Sequence, residues 1–313
     1  MDWRYDGPTI TLVVNPAAGR GRAKRLLPKV CSTLLTALPD AHLRVHQTTS
    51  YADARMRTIQ AVDTARPAVD GQRPDSLIVM GGDGMAHLGV NACATTDVTL
   101  GVIPAGSGND FCRGVGIPAH VQAATQAIAA GRTRVVDALE VRGRLAGGAE
   151  RRYVGAVVSS GYDAKVNRRA NEAKLPLGPL VYMNAALSEL AVFEPLHFRL
   201  AVDGARRELP AMMVCVANTA YFGGGMMIAP TADPGDGLLD LTIIHPVSRV
   251  TLLRLLPLIY SGRFVKDPAV ERLRAREVLL DGSDMFGMGD GEELGDVPLA
   301  IRSVPGALRV HVA

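Results

Sequence analysis

Strand-like and helix-like segments alternate along the first 131 residues, and this alternation limits the fold more than any other feature. Thr9–Val14 reads as a strand and Arg20–Leu38 as a helix. Leu43–Gln47, Ser76–Met80 and Thr99–Ile103 read as further strands, with helices at Tyr51–Arg66, Met85–Ala94 and Val121–Ala130. Strands that alternate with helices imply βαβ units, hence a parallel sheet covered on both faces.

Hairpin signals replace this texture after about residue 132. Thr133–Arg142 and Arg152–Ser159 flank a glycine-rich turn, and Leu196–Val202 and Arg206–Ala217 flank Asp203-Gly204, a dipeptide suited to tight hairpins. Leu238–Ile244, Glu277–Leu280 and Leu299–Ile301 add strands, and Lys165–Ala173, Pro179–Val192 and Arg249–Tyr260 read as helical insertions. The expectation is an α/β domain over residues 1–132 followed by a mostly antiparallel β domain over residues 133–305. The strand Ala307–Val312 follows a Pro305-Gly306 turn, and the sequence leaves open whether residues 306–313 return to the first domain.

Composition removes several function classes. Aromatics are 4% of the chain and the net charge of +3 is not gathered into a long basic run, which argues against a nucleic-acid surface. The four cysteines form no CxxC pair, so neither a zinc site nor a disulfide framework is indicated, and a reducing cytosol is expected. Met1–Pro8 has no apolar core of a signal peptide, and no uncharged apolar run is long enough to span a bilayer. A lipid partner would therefore be met from outside, in a peripheral and transient visit to the membrane.

Glycine-rich turns follow three of the early strands. Val79-Met80-Gly81-Gly82-Asp83-Gly84 runs from an apolar strand into a helix start, where backbone N–H groups favour an anion. Asn15-Pro16-Ala17-Ala18-Gly19-Arg20-Gly21 ends the first strand, and Pro104-Ala105-Gly106-Ser107-Gly108-Asn109-Asp110-Phe111 ends the fourth. In an open α/β sheet such loops lie where ligands bind, outside the carboxyl ends of the strands. Two glycine loops side by side form a floor for a polyphosphate. Farther on, Met288-Gly289-Asp290-Gly291-Glu292 sets two carboxylates around a glycine. That spacing can be read as one carboxylate on a substrate hydroxyl and one on a metal, as phosphoryl transfer would use, or as an ordinary acidic turn with Glu293 and Asp296 nearby. Asp233-Pro234-Gly235-Asp236-Gly237-Leu238 can be read as an oxygen-rich cation loop or as an ordinary Asp/Pro/Gly turn.

Taken in order, these segments resemble the diacylglycerol kinase catalytic-domain family, from residue 9 to residue 312. The family includes soluble bacterial lipid kinases, sphingosine kinases and ceramide kinases. The glycine-aspartate-glycine turn is shared with NAD kinases and phosphofructokinases. The resemblance implies an α/β domain and a C-terminal antiparallel β-sandwich, with ATP and Mg²⁺ held in the cleft between them. It implies ATP contacts from Asn15, Thr48 or Thr49, Gly81, Gly82, Asp83, Gly84, Ser107 and Gly108. Asp83 would lie close to the phosphates and their Mg²⁺. Asp290 would take the proton of the lipid hydroxyl with Glu292 in support, and Asp110 and Asp163 would face the substrate. A structural Mg²⁺ would sit on Asp236 and the carbonyls of Asp233 and Leu238. The implied partner is a lipid at a membrane surface, diacylglycerol or a related glycerolipid first; self-association as a homodimer stays open.

The chain departs from the family at Met85, usually Thr, and at His87, often Asn or a small residue, while Ser107 keeps the hydroxyl of the usual Thr. The lost hydroxyl at Met85 implies weaker ATP binding. It also motivates one alternative, a nucleotide or lipid sensor without catalysis; a sphingoid-, ceramide- or NAD-type kinase is the other alternative to a glycerolipid kinase. The basic amphipathic stretch from Arg249 reads as a helix laid on the β domain in preference to one laid on a membrane.

Overall fold

The computed structural model describes residues 7–66, 73–166 and 194–313. The expected helix Pro179–Val192, with Leu180, Met183, Leu187, Leu190 and the adjoining Phe193, lies outside the described residues, as does most of Lys165–Ala173. The chain divides into one unit of residues 1–137 with 306–313 and a second of residues 138–305.

In the first unit the strands are β1 (Thr9–Val14), β2 (His42–Gln47), β3 (Ser76–Gly81) and β4 (Thr99–Pro104). All pair in parallel in the order β2-β1-β3-β4, and the chain end returns to β4 in parallel through Val310 opposite Leu100. Strands β3 and β4 are buried at every position, as parallel strands covered on both faces must be. The helices are α1 (Ala18–Ala37), α2 (Tyr51–Asp63), α3 (Asp83–Cys93), α4 (Asp110–Val115) and α5 (Val121–Ala130). Helix α1 buries Ala23, Leu27, Val30 and Leu34, an i, i+4, i+7, i+11 stripe, against Ile10, Leu12, Ile78 and Ile103 of the sheet. Residues 306–313 belong here: the Gly306 N–H donates to Asp137 Oδ1 at 2.7 Å and the buried His311 meets Ser76 Oγ at 3.4 Å.

The second unit is antiparallel. Its strands are β5 (Thr133–Leu145, from residue 138), β6 (Arg152–Val154), β7 (Val157–Gly161), β8 (Leu196–Val202), β9 (Ala205–Ala211), β10 (Met213–Ala217), β11 (Tyr221–Phe222) and β12 (Met226–Met227). They continue with β13 (Leu239–Ile244), β14 (Val270–Ala275), β15 (Glu277–Gly282), β16 (Phe286–Gly289) and β17 (Glu292–His311, as far as residue 305). One layer runs β14-β13-β10-β7-β16-β17, the other is built on β9-β8-β15-β17, and β5 joins β17 to β6. This is the β-sandwich expected. Strand β10 shows the two-residue alternation that makes it: Val214 and Val216 enter the interior with Phe198, Leu241 and Leu280, while Met213, Cys215 and Ala217 face outward. That outward face is covered by helix α6 (Arg249–Ile259), which buries Leu252, Leu255 and Ile259. The stretch read as amphipathic thus lies on the β domain.

Some expectations need correction. Arg206–Ala217 is two strands, because β9 pairs with β8 whereas β10 pairs with β7 and β13. Leu299–Ile301 and all of Ala307–Val312 except Val312 are parts of the single long strand β17. Strands β14 and β16 were not foreseen, and the helix expected from Lys165 is already helical at residue 162.

Candidate functional site

The strand order places a topological switch between β1 and β3: the chain leaves β1 toward β2 on one side, and β3 and β4 follow on the other. Ligands in such sheets bind outside the carboxyl ends at that point. Asn15 follows β1 there, Gly82 to Gly84 follow β3, and Ser107 and Gly108 follow β4. The loops are joined through their backbones. The Asn15 N–H donates to the Met80 carbonyl at 2.9 Å, and the Ala105 and Gly106 N–H groups donate to the Gly81 carbonyl at 2.7 and 3.1 Å. A Cβ on Gly106 would stand 2.5 Å from the Gly82 Cα, so only glycine allows this approach. Asn15 Oδ1 accepts the Ala17 N–H at 3.0 Å and opens a turn through Gly19, Arg20 and Gly21, all at left-handed φ. Successive residues of that kind turn N–H groups toward one concavity and suit an anion.

Asp83 has a definite task within these loops. Its Oδ2 accepts the Asn109 N–H at 2.9 Å and its Oδ1 the Asp110 N–H at 2.7 Å. The carboxylate therefore braces the start of α4 and fixes the loop that carries the exposed Ser107 and the buried Gly108. Asp110 is itself buried. Of the two threonines after β2, Thr48 is buried with its hydroxyl on the Val14 carbonyl at 3.1 Å, whereas Thr49 is exposed beside Asp53. Met85 is buried and folds back over Gly81, where its Cγ is 2.4 Å from the place a Cβ would take. A long apolar side chain thus fills the foot of the turn where the resemblance implies a hydroxyl. His87 is buried on α3, its Nε2 3.2 Å from Asn91 Nδ2.

In the second unit Asp290 and Gly291 are the centre of the hairpin joining β16 to β17, both at positive φ, 52° and 86°. This is the two-residue turn for which Asp-Gly is suited. Asp290 Oδ2 accepts the Gly155 N–H and Oδ1 the Ala156 N–H, each at 2.8 Å. The same segment is gripped from its carbonyl side: Asn218 Nδ2 donates to the Gly155 carbonyl at 2.9 Å and the Asn218 N–H to the Ala156 carbonyl at 2.8 Å. Glu292 opens β17 opposite Gly289, half-buried. The two aspartates that follow glycine pairs and single glycines, Asp83 and Asp290, thus act alike, each holding two successive amides of a neighbouring loop. No sequence signal could reveal those partners, because amides belong to every residue but proline.

Asp163 lies just past β7, buried with Cys215 close by. Burial pushes its carboxyl up to about 6; the Ser159 hydroxyl and the Ala164 N–H only partly offset this. Neither of its oxygens has a hydrogen-bond partner of good geometry among the described residues. A buried carboxyl so displaced is only a candidate for a functional group, since burial in a core displaces a carboxyl in the same direction.

The loop read as a cation site is occupied by protein groups. Asp236 Oδ1 accepts the Leu238 N–H at 3.0 Å, the Asp233 carbonyl accepts the Asp236 N–H at 3.4 Å, and Asp236 Oδ2 holds the Arg274 guanidinium, which also lies 3.8 Å from Asp240. As folded, Asp233, Asp236 and Leu238 do not fit a hard cation, because Arg274 brings the positive charge. Stripping divalent cations should then leave the melting temperature unchanged. Arg274→Ala should lower stability by up to about 1 kcal/mol and make the melting temperature respond to Mg²⁺. A wild-type melting temperature that falls on chelation would restore the cation reading.

The comparisons agree with this architecture. Residues 9–141 match the diacylglycerol kinase catalytic domain, and residues 156–312 match the YegS C-terminal NAD kinase beta sandwich-like domain. A protein named diacylglycerol kinase from Mycobacterium tuberculosis is 33% identical over 317 residues, covering 98% of this chain and 96% of that one. Another of that name from Bacillus subtilis is 28% identical, covering 92% and 90%. Among solved structures, a putative diacylglycerol kinase from Bacillus anthracis superposes with a TM-score of 0.76 at 23% identity, covering 98% of each chain. Yeast NADH kinase superposes with a TM-score of 0.54 at 11% identity, covering 99% of this chain and 85% of that one. The chain belongs to the diacylglycerol kinase family.

Proposed function

We propose that this protein is an ATP-dependent lipid kinase that phosphorylates a lipid hydroxyl, with diacylglycerol or a related glycerolipid as first choice. The observation that carries the reading is the set of backbone-joined loops at the carboxyl ends of β1, β3 and β4, built where a polyphosphate would be held. Family membership supports the acceptor class. Bound ATP with Mg²⁺ supplies the phosphoryl group and the neutralising charge. The amides and small side chains at Asn15, Gly81 to Gly84, Ser107 and Gly108 bind and orient the phosphates, with Asp83 bracing their loop. Thr49 is the more available of the two threonines. Asp290 accepts the proton of the attacking hydroxyl, Glu292 supports it, and the buried Asp163 meets the headgroup.

The test is transfer of labelled γ-phosphate from ATP to diacylglycerol, monoacylglycerol, sphingosine and ceramide in mixed micelles, with NAD as a soluble acceptor. Label in a lipid establishes the reading and names the acceptor. Label in NAD alone, or ATP binding without transfer, overturns it in favour of an NAD-type kinase or a sensor.

Met85 gives a second measurable consequence. Restoring the family's hydroxyl with Met85→Thr should tighten ATP about tenfold, since a hydrogen bond to a charged group is worth about 1.5 kcal/mol. Removing most of a buried Met side chain should cost about 2 kcal/mol of stability. Calorimetric titration with ATP and a melting curve would show both together. Weaker ATP binding in the variant would mean that Met85 itself shapes the site.

A further inference from the structure

Helix α6 has two apolar stripes, and the fold uses only one of them. Leu252, Leu255 and Ile259, at i, i+3 and i+7, are buried on the β-sandwich. Val250, Leu253, Pro257 and Tyr260 follow a second stripe, at i, i+3, i+7 and i+10, on the opposite side. All four are exposed, Val250 at 76%, Leu253 at 45% and Tyr260 at 55%. An apolar ridge of this kind left in water marks an interaction surface.

The charge around this ridge has one sign. From residue 241 to residue 266 the chain holds Arg249, Arg254, Arg263 and Lys266 and no Asp or Glu. At about 3.6 residues per turn, Arg249 and Arg254 stand on either side of the ridge. Arg263 and Lys266 follow on the 3₁₀ turn Arg263–Lys266, and all four are exposed. The next acids along the chain are already paired. Asp267 accepts from Arg254 at 2.7 Å, and Glu271 holds Arg207 at 2.6 Å and His245 at 2.9 Å. Asp267 thus answers Arg254 alone, and the face as a whole stays positive.

The pattern selects among partners. A second copy packed on this face about a two-fold axis sets the same positive charges against each other. A partner offering only carboxylates leaves the apolar ridge without a counterpart. An anionic lipid surface answers both parts. Its headgroups meet the arginines and the lysine, while Val250, Leu253 and Tyr260 enter the boundary between headgroups and acyl chains, where tyrosine is favoured. We propose that the outer face of α6, together with the turn Arg263–Lys266, docks this protein on an anionic phospholipid surface. The inner face of the same helix shares its apolar cluster with Tyr162 and Val166, which lie on either side of the buried Asp163 in the chain. Docking therefore sets the membrane on one side of α6 and the end of β7 that carries Asp163 on the other. That last consequence rests on the kinase reading; the docking itself does not.

The test uses the full chain without ATP or diacylglycerol, so a failed kinase reading leaves it unaffected. Sedimentation is compared with vesicles of phosphatidylcholine alone and of phosphatidylcholine with phosphatidylglycerol, at low and at raised salt. Two variants change only exposed side chains, Arg249→Gln/Arg263→Gln/Lys266→Gln and Val250→Ser/Leu253→Ser, and both should melt like the wild type. The expected result is salt-sensitive binding to the phosphatidylglycerol vesicles. The charge variant should weaken it on the order of a hundredfold, and the apolar variant at least about tenfold. A wild type that ignores both kinds of vesicle overturns the proposal, as does binding that both variants retain. A concentration-dependent dimer, lost in the apolar variant in the absence of lipid, overturns it in favour of self-association through this face.

Discussion

Asp290→Asn is expected to lower kcat for lipid phosphorylation by ~10²–10⁴-fold, the usual contribution of a positioned proton acceptor, with the affinity for ATP unchanged. The variant keeps the size and shape of the side chain and removes its capacity to hold a proton. It also has a structural cost that must be separated from the chemical one. Both carboxylate oxygens accept amides, from Gly155 and Ala156 at 2.8 Å. An Asn offers one oxygen and one donor, so one of those amides would face an NH₂ group. A buried donor left without its acceptor costs about 1–3 kcal/mol. Asn218→Ala provides the comparison, because Asn218 grips the same segment from its carbonyl side and carries no group able to take a proton. If Asp290 is the proton acceptor, the two variants lose similar stability but only Asp290→Asn loses most of kcat. Equal losses of kcat at equal losses of stability would reduce Asp290 to a brace for residues 155–156.

That ambiguity shows what the sequence could and could not reveal. The βαβ half was legible because its signals are local: apolar runs of strand length, each closed by glycines and followed by a helical stripe. The switch point, and with it the grouping of Asn15, Gly81 and Ser107, follows once strand order is known, but strand order itself is a tertiary fact. In the β half, partners are distant in sequence and the signals weaken. Strand β14 reads Val-Glu-Arg-Leu-Arg-Ala, a half-buried edge strand in which three charges interrupt the apolar pattern, so charge hid it. Strand β16 contains two glycines and shows little strand propensity. The break at Met212 inside Arg206–Ala217 comes from a change of partners that no run of apolar residues records. The Asp233–Leu238 loop looked like a cation site because its ligand atoms are local, whereas the arginine that answers Asp236 lies 38 residues away.

Between pH 4 and 6.5 the two units should respond to acid in opposite directions. In the first unit, burial and the nearby Arg73 push His311 down to about 4. Above pH 6.5 this histidine is neutral whether the chain is folded or not, and the unit has its full stability. As pH falls toward 4, the unfolded chain takes a proton that the folded one refuses, and about 3 kcal/mol is lost. In the second unit burial pushes Asp163 up to about 6. Below pH 4 it is protonated in both states and costs nothing. As pH rises to 6, the unfolded chain releases its proton first, and stability falls by a similar amount, about 3 kcal/mol. In the wild type the two slopes partly cancel. Chemical denaturation across this range should separate them: Asp163→Asn leaves a stability that climbs from pH 4 to 6.5, and His311→Gln leaves one that descends. The Asn variant should also be the more stable protein at pH 7, which marks Asp163 as a group retained at a cost to the fold, as a substrate-facing carboxyl would be. Slopes of the same sign in the two variants would remove Asp163 from the site and return it to the core.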